Sequence, residues 1–321
     1  MTARVILHLP RKVHQTFRSM KLYGLHAAIE RSITARGGTV LLADRGEELY
    51  ALGTLPGDGD LHIVENGSAQ GPGYLNTAVA YLDGFFHLDP QGVLADSSLR
   101  HLDYDPSEID ETEARAFFRR LKARFVNRRH SRYGQPRAVA DLPDGAIAVF
   151  LQGPKPERHG QAHLSTQDML RAVARAAGGR PVLVKLHPAA PAYGAEKLAL
   201  ARQSGLSFLE TEANVHDILA KAAVSVSINS ACGFEGFLHG TPAIFFGRSD
   251  FHHAVETVHR IEDFPRALDR ALTRRRNYAK AMYWYFGQHG FWLDDPALEA
   301  KLLAQFTAQG FPPDRLGLTR G

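Results

Sequence analysis

Short apolar segments alternate with longer amphipathic segments along most of the chain, and this alternation constrains the fold more than any other feature. Residues 5–9, 40–43 and 61–64 have the length and the residue types of strands. A helical pattern covers residues 23–36 and ends at Gly37-Gly38, a common stop signal for helices. Strands and helices in this order predict a parallel sheet with helices on its faces.

The first series of elements extends to about residue 143. Residues 78–82 are predicted to form a further strand, and residues 112–127 an amphipathic helix. Two segments rich in turn residues follow, at 135–137 and 142–145, and they are typical of a linker between domains.

A second series of strands and helices begins after this linker. Its predicted strands are at 146–151, 181–186, 207–209, 224–228 and 242–246, and its predicted helices are at 166–177, 196–203, 215–222 and 233–238. The fold class is therefore α/β, with two doubly wound domains at residues 1–143 and 144–262. A helical tail rich in aromatic residues is predicted at 263–321.

Composition limits the classes of protein to which the chain can belong. It has 321 residues, of which 44% are hydrophobic and 22% charged, as in a globular protein of two domains. No stretch approaches the roughly 18 consecutive apolar residues of a membrane span, and the N-terminal segment lacks the apolar region of a signal peptide. With Cys232 as the single cysteine, we expect no internal disulfide and a cytoplasmic location.

The formal net charge is +4, and much of the excess comes from basic residues within 115–137 and from Arg274-Arg275-Arg276. These residues are either a solvated helix face or a surface attracted to an anionic membrane or glycan. Nucleic acid is a weaker candidate, because no aromatic and basic interleaving accompanies the charge.

His187-Pro188 directly follows an apolar strand that contains Lys185. In open α/β sheets ligands bind at the carboxyl ends of the strands, so this histidine is a candidate donor to a phosphate oxygen. Pro188 restricts His187 to an extended backbone, and Lys185 can add positive charge. The alternative is an ordinary His-Pro turn.

A second strand of this series ends in Ser227-Ile228-Asn229-Ser230 and leads into a helix at Gly233. The backbone N–H groups of a helix N-terminus and the Ser230 hydroxyl are suited to bind phosphate. Glu235 in the first turn can accept a hydrogen bond from a ribose hydroxyl, although Ser230 and Glu235 would also serve as ordinary capping residues. No glycine-rich dinucleotide loop or Walker motif occurs.

These motifs resemble those of the capsule polysaccharide biosynthesis transferases, bacterial enzymes that build or use β-linked Kdo on a lipid acceptor. The matching segments of the second series are His187-Pro188, Ser227-Ile228-Asn229-Ser230, residues 233–242 and residues 246–253. Those of the first series are Asp83-Gly84-Phe85-Phe86, Asp89-Pro90-Gln91-Gly92-Val93 and Ser97-Ser98. These matching segments are spread over most of the chain from about residue 60 to about residue 260.

The resemblance implies a GT-B fold, in which two Rossmann-like domains face a cleft and C-terminal helices cross back. The N-terminal domain would bind the acceptor, and the C-terminal domain would bind CMP-Kdo or a related CMP-sugar. The candidate donor-binding residues are Gln152, Lys185, His187, Pro188, Ser227, Asn229, Ser230, Gly233 and Glu235.

The resemblance also assigns roles to particular side chains. His187 would contact the donor phosphate, with Ser227 and Ser230 on the same phosphate and Glu235 on the ribose. Asp83 is the candidate general base near the acceptor, although an aspartate before glycine can equally be a plain turn residue. Glu65, directly after a predicted strand, is the rival base.

One departure from the family pattern concerns the nucleophile. The retaining β-Kdo transferases carry an aspartate four residues after a glutamine, and here Gln152 is followed by Pro156 at that position. Glu157 is the nearest acid, so it is the candidate substitute in a double displacement. Whether the reaction retains or inverts the anomeric configuration stays open.

The resulting prediction is a glycosyltransferase that moves Kdo or a related sugar from a CMP donor to a glycolipid or surface polysaccharide. Expected partners are the nucleotide sugar, the acceptor, the inner membrane face and capsule assembly proteins. We expect no metal ion and no cofactor, because the histidines lack metal-ligand spacing. The alternatives are a CDP-polyol phosphotransferase of the teichoic-acid type and a non-catalytic binding protein of a capsule assembly complex.

Overall fold

The structure, a computed structural model, describes residues 2–50 and 53–319. By its internal contacts the chain divides into two compact units. The N-terminal unit comprises Met1–Leu102 and Phe286–Gly321, and the C-terminal unit comprises Asp103–Tyr285. The chain ends assigned to the predicted domain and tail, residues 1 and 320–321, lie outside the described residues.

The N-terminal unit contains a six-stranded sheet with the order β14-β7-β6-β4-β1-β2. Its strands are β1 Val5–Leu9, β2 Val40–Asp44, β4 Leu61–Glu65, β6 Tyr74–Val79, β7 Phe85–Asp89 and β14 Phe291–Trp292. A separate pair consists of β3 Gly53–Thr54 and β5 Ala69–Gln70. Strands β1, β2, β4 and β6 are parallel, whereas β7 and β14 run antiparallel to their neighbours. The carboxyl ends of the four parallel strands therefore lie along one edge.

Two helices cover a face of this sheet, α1 Gly24–Ala35 and α10 Leu298–Ala308. Val5, Leu7 and Leu9 alternate along β1, are 0% exposed, and belong to the same apolar cluster as residues of both helices. The predicted glycine stop of α1 is confirmed: Gly37 has a φ of 84°. The N–H of Gly38 donates to the carbonyl of Ile33 at 3.0 Å, which closes the last turn of the helix.

The predicted strand at 78–82 is partly wrong. Strand β6 ends at Val79, and the next residues form the turn of a hairpin with β7. Tyr81 and Gly84 have positive φ angles of 59° and 88°, which a continuing strand does not allow. This turn brings Asp83 to the carboxyl edge of the parallel strands.

The C-terminal unit contains a second six-stranded sheet, with the order β10-β9-β8-β11-β12-β13 and all neighbours parallel. Its strands are β8 Ala146–Phe150, β9 Val182–Lys185, β10 Leu209–Glu210, β11 Ala222–Ser227, β12 Ala243–Phe245 and β13 Glu256–Thr257. Its helices are α2 Glu111–Phe125, α3 Lys155–Arg158, α4 Thr166–Ala176, α5 Pro191–Gln203, α6 Val215–Lys221, α7 Cys232–His239, α8 Phe264–Thr273 and α9 Tyr278–Met282. Strand β8 is buried along its whole length, as expected of a sheet with both faces covered.

The division of the chain differs from the predicted boundaries at 143 and 262. Residues 103–143 belong to the C-terminal unit, because the segment that has the composition of a linker is bonded to α6. Arg129 pairs with Asp217 at 2.6 Å, and Asn214 donates to the carbonyl of Pro136 at 3.2 Å. The tail returns to the N-terminal unit only from Phe286 onward.

A π-helical segment, Tyr283–His289, carries the chain from one unit into the other. Across residues 2–50 and 53–319, no helix has both the length and the apolar character needed to cross a membrane.

Candidate active site

Four of the predicted donor-binding residues lie in loops at one edge of the C-terminal sheet. Gln152 follows β8, His187 follows β9, and Asn229 and Ser230 follow β11. Arg248, which the sequence did not indicate, follows β12 at the same edge. Because all these strands are parallel, the loops after their carboxyl ends meet at the same edge. This is the edge at which a doubly wound sheet binds its ligands.

Gln152 and Asn229 hold three of these loops together. The Gln152 amide donates to Asn229 Oδ1 at 3.0 Å, and the Asn229 backbone N–H donates to Gln152 Oε1 at 2.9 Å. Asn229 Nδ2 also donates to the carbonyl of Arg248 at 3.0 Å. These polar atoms bond within the protein, so the structure gives both amides a positioning role beside the predicted role in donor binding.

The serine turn before α7 is built by its own hydroxyl groups. Ser227, 2% exposed, accepts a hydrogen bond from the Ser230 N–H at 3.0 Å, and the Ser230 hydroxyl accepts from the Cys232 N–H at 3.3 Å. Ala231, the N-cap residue of α7, provides no side-chain cap. The partial positive charge of the helix N-terminus therefore lies directly beside the half-buried Ser230.

Gly233 has a packing role that sequence reasoning did not find. A Cβ atom at this position would lie 2.8 Å from the ring of Phe245. Glycine therefore lets the first turn of α7 approach β12 closely, and this contact orients the helix N-terminus.

His187 is prepared to donate a hydrogen bond from Nε2. The backbone N–H of Ala189 donates to its Nδ1 at 3.1 Å, so in the neutral ring the proton lies on Nε2. Burial lowers the pKa of His187, and the nearby Arg132 lowers it further. The ring therefore acts at neutral pH as a neutral donor, and its edge-to-face contact with Tyr133, at 4.9 Å between centroids, restricts its orientation.

The ammonium group of Lys185 is bonded to backbone carbonyls of the loop before α6. Its ammonium group donates to the carbonyls of Glu212 and Ala213 at 3.1 and 2.8 Å, which fixes the loop before α6. Burial lowers the pKa of Lys185. The structure thus assigns it a role in holding this loop, a use that the strand pattern did not indicate.

Glu235 is a buried carboxyl group in the first turn of α7. Its side chain is 4% exposed and hydrogen-bonded with Ser131 and Cys232. Burial raises the pKa of Glu235 to about 7. Close to neutral pH the group is therefore divided between its neutral and its ionised form, an unusual state for a glutamate.

Glu157, the candidate replacement for the missing aspartate, is engaged at the start of another helix. Its Oε1 atom accepts from the N–H and the hydroxyl of Thr166, at 2.9 and 2.6 Å, and from the hydroxyl of Tyr193 at 2.9 Å. Burial alone would raise the pKa of Glu157, but these hydrogen bonds outweigh it and lower the pKa. The carboxylate is therefore bound to the first residue of α4.

Glu65 and Asp83 both lie at the carboxyl edge of the parallel strands in the N-terminal unit. Glu65 ends β4, is 4% exposed, and forms an ion pair with Arg45 and a hydrogen bond with Asn66. Asp83 lies in the hairpin turn after β6 and is half-buried. The carbonyl of its neighbour Gly84 accepts from Leu293 at 3.0 Å, which fixes the turn.

Two contact residues, Ser131 and Tyr133, come from the stretch between the predicted helix at 112–127 and the predicted linker segment at 135–137. Neither belongs to a strand or helix, so no periodicity could have indicated that they contact Glu235 and His187. In the described parts of the chain, no group of three or more His, Cys, Asp or Glu residues is placed to hold a metal ion.

Two solved structures resemble this one over nearly their whole length. The KpsC β-Kdo 2,4-transferase of Thermosulfurimonas dismutans matches with a TM-score of 0.55 and 16% identity, over 91% of this chain and 92% of its own. The KpsC β-Kdo 2,7-transferase of the same organism matches with a TM-score of 0.55 and 12% identity, over 96% and 99% of the two chains.

No known family model matches the sequence, and no curated protein sequence matches it significantly. At these identities the structural likeness concerns the fold. The chain therefore has the GT-B type of glycosyltransferase fold, and the predicted similarity to β-Kdo transferases is confirmed at the level of structure.

Proposed function

We propose that the protein is a glycosyltransferase that takes a Kdo-like sugar from a CMP donor and transfers it to a glycolipid or surface polysaccharide. The main support is the carboxyl edge of the C-terminal sheet, where the loop with His187 follows β9 on one side of β8, and the serine turn and the N-terminus of α7 follow β11 on the other. The GT-B fold agrees with this assignment.

The donor phosphate would bind to hydrogen-bond donors whose interaction with it becomes stronger as the nucleotide leaves. The His187 Nε2–H, the Ser230 hydroxyl and the backbone N–H groups at the start of α7 are hydrogen-bond donors. They stabilise the negative charge that develops on CMP when the bond to the sugar breaks. Glu235 would accept from the ribose after release from Ser131.

The acceptor hydroxyl would give its proton to Asp83. Glu65 is a weaker candidate, because its buried carboxylate is already paired with Arg45 and an ion pair opposes protonation. Asp83 is more exposed and lies in a turn at the sheet edge that binds ligands in this kind of fold.

Glu157 is assigned no covalent step. Its Oε1 atom bonds to Thr166 and Tyr193, and removing it from these donors would disturb the start of α4. Because position 156 is Pro156, this loop offers no other carboxylate in its place.

A membrane contact is part of the proposal. Arg119, Lys122 and Arg128 are exposed on α2 and directly after it, and such side chains are attracted to anionic lipid. Binding to phosphatidylglycerol vesicles, lost in about 0.5 M salt and absent with phosphatidylcholine vesicles, would support peripheral association with the inner membrane face.

Nucleotide binding is the first test. Melting temperatures would be measured with CMP, CDP, UDP, GDP and ADP for the wild type, for His187→Ala and for the surface control His101→Ala. A ligand at roughly 100 times its Kd stabilises by about 2.7 kcal/mol, so a specific response is visible. We expect stabilisation by cytidine nucleotides that His187→Ala weakens and His101→Ala retains.

Turnover of CMP-Kdo, to an acceptor or to water, is the second test. Release of CMP that depends on His187 supports the transferase. A response to UDP or GDP alone contradicts the CMP donor, and cytidine binding without any release of CMP favours a non-catalytic binding protein.

A further inference from the structure

Three basic side chains form a cluster at the same sheet edge, beyond the serine turn. The rings of His163 and His259 lie 4.1 Å apart between centroids. The Arg248 guanidinium is close enough to lower the pKa of His163, after the effects of burial and His259. The three residues come from the loop before α4 and from the ends of β12 and β13.

Backbone contacts fix the position of this basic cluster. The Arg248 N–H donates to the carbonyl of Gln161 at 2.7 Å, and the His163 N–H donates to the carbonyl of Phe246 at 2.8 Å. Between these two bonds, Gly247 pairs with Ala162 in an antiparallel bridge. The loop before α4 is therefore attached to the strand end that carries Arg248.

Gly247 makes this close approach sterically feasible. A Cβ atom at Gly247 would lie 2.7 Å from the carbonyl oxygen of Gln161 and 2.7 Å from Ile228 Cγ2. Neither neighbour can retreat easily, because one is backbone and the other is a buried side chain. The close approach of the two backbone segments therefore requires glycine at position 247.

The cluster is continuous with the proposed donor site. The carbonyl of Arg248 accepts from Asn229 Nδ2 at 3.0 Å, and Asn229 directly precedes Ser230 of the phosphate turn. Along the sheet, β12 and β13 lie on one side of β11, whereas His187 follows β9 on the other side. The basic cluster and His187 thus lie on opposite sides of the serine turn.

We propose that Arg248, His163 and His259 form a subsite that binds the carboxylate of the donor sugar. This inference depends on the proposed function. A guanidinium group presents two parallel N–H donors that match a carboxylate, and histidine rings add further N–H donors. His163 and His259 are exposed and Arg248 is half-buried, so a ligand can reach the cluster.

A CMP-sugar has a single phosphate, for which the serine turn already provides donors. The remaining anionic group of such a donor is the carboxylate of the sugar itself.

The experiment compares the affinities of CMP, CDP and CMP-Kdo for the wild type, Arg248→Gln, Arg248→Lys and the control Arg175→Gln. Arg175 is an exposed arginine near the far end of α4, so its variant makes the same charge change away from the site. We expect Arg248→Gln to raise the Kd of CMP-Kdo about tenfold while leaving that of CMP nearly unchanged. Arg248→Lys should recover part of the loss, and Arg175→Gln should resemble the wild type.

Other results overturn the inference. An equal loss of affinity for CMP and CMP-Kdo, or no loss for either, means that Arg248 does not bind the sugar. A loss confined to CDP identifies a second phosphate as the anion. If the wild type binds CMP but not CMP-Kdo, the subsite fails; if it binds no cytidine nucleotide, the proposed function fails first. Melting temperatures identify misfolded variants, and Arg248→Lys applies the same comparison if Arg248→Gln does not fold.

Discussion

Gln152 and Asn229, which are 77 residues apart in the chain, bond to each other in both directions. One bond joins the two side-chain amides at 3.0 Å, and the other joins the Asn229 backbone N–H to Gln152 Oε1 at 2.9 Å. Because Asn229 is 8% exposed, water cannot easily replace a lost partner. This pair connects the ends of the neighbouring strands β8 and β11 at the proposed donor site.

Replacing Gln152 with alanine should therefore destabilise the protein and weaken nucleotide binding together. Loss of both bonds leaves a buried N–H without a partner, which costs about 1–3 kcal/mol. Urea unfolding of Gln152→Ala measures the loss, with the exposed Gln203→Ala as control. Unchanged stability and unchanged CMP affinity in Gln152→Ala would contradict the positioning role.

Substitutions of Asp83 and Glu65 should have different effects, one on activity and the other on stability. Asp83→Asn removes the proposed base, and we expect the kcat of CMP-Kdo transfer to fall by roughly 10²–10⁴ with little change in melting temperature. Glu65→Gln leaves Arg45 without its ionic partner, so its main effect should be on stability. If Glu65→Gln lost turnover without losing stability, while Asp83→Asn kept full activity, the two roles would have to be exchanged.

The buried carboxyl of Glu235 should produce a specific dependence of stability on pH. Its pKa in the folded protein is about 7, against an ordinary value of 4.5. The folded state therefore binds this proton more tightly than the unfolded state does. The contribution of Glu235 to the free energy of unfolding should fall as the pH rises from about 4.5 to about 7, and should be level above that.

Glu235→Gln keeps the shape of the side chain but cannot ionise. Relative to wild type, this variant should become more stable as the pH rises through that window, by at most about 3 kcal/mol. Denaturant unfolding of both proteins at pH 5, 6, 7 and 8 provides the comparison. A constant difference across the series would show that the pKa of Glu235 is not raised.

Glu157 should behave as a structural residue. Glu157→Gln weakens the hydrogen bonds from Thr166 and Tyr193, and we expect a loss of about 1–3 kcal/mol in the free energy of unfolding. Turnover of CMP-Kdo below the melting transition should fall less than tenfold. A far larger loss, together with a trapped sugar adduct on Glu157 in the wild type, would instead identify it as a nucleophile.

The sequence alone determined the fold class and the sheet edge at which the candidate site residues lie. Alternating strands and helices specify parallel sheets, and His187 and Ser230 follow apolar strands, so they had to reach a carboxyl edge. The stop of α1 at Gly37 was also predictable, because a positive φ after a helix strongly favours glycine. Each of these features depends on residues close together in the chain.

The tertiary structure decided how the individual side chains are used. Lys185 bonds to carbonyls 27 and 28 residues away, Glu157 bonds to Tyr193 36 residues away, and residues 103–143 join the C-terminal unit. Local periodicity says which face of an element is buried, but not which distant donor meets a given carboxylate. That choice is made only when the strands have taken their order in the sheet and packing has brought the loops at their ends together.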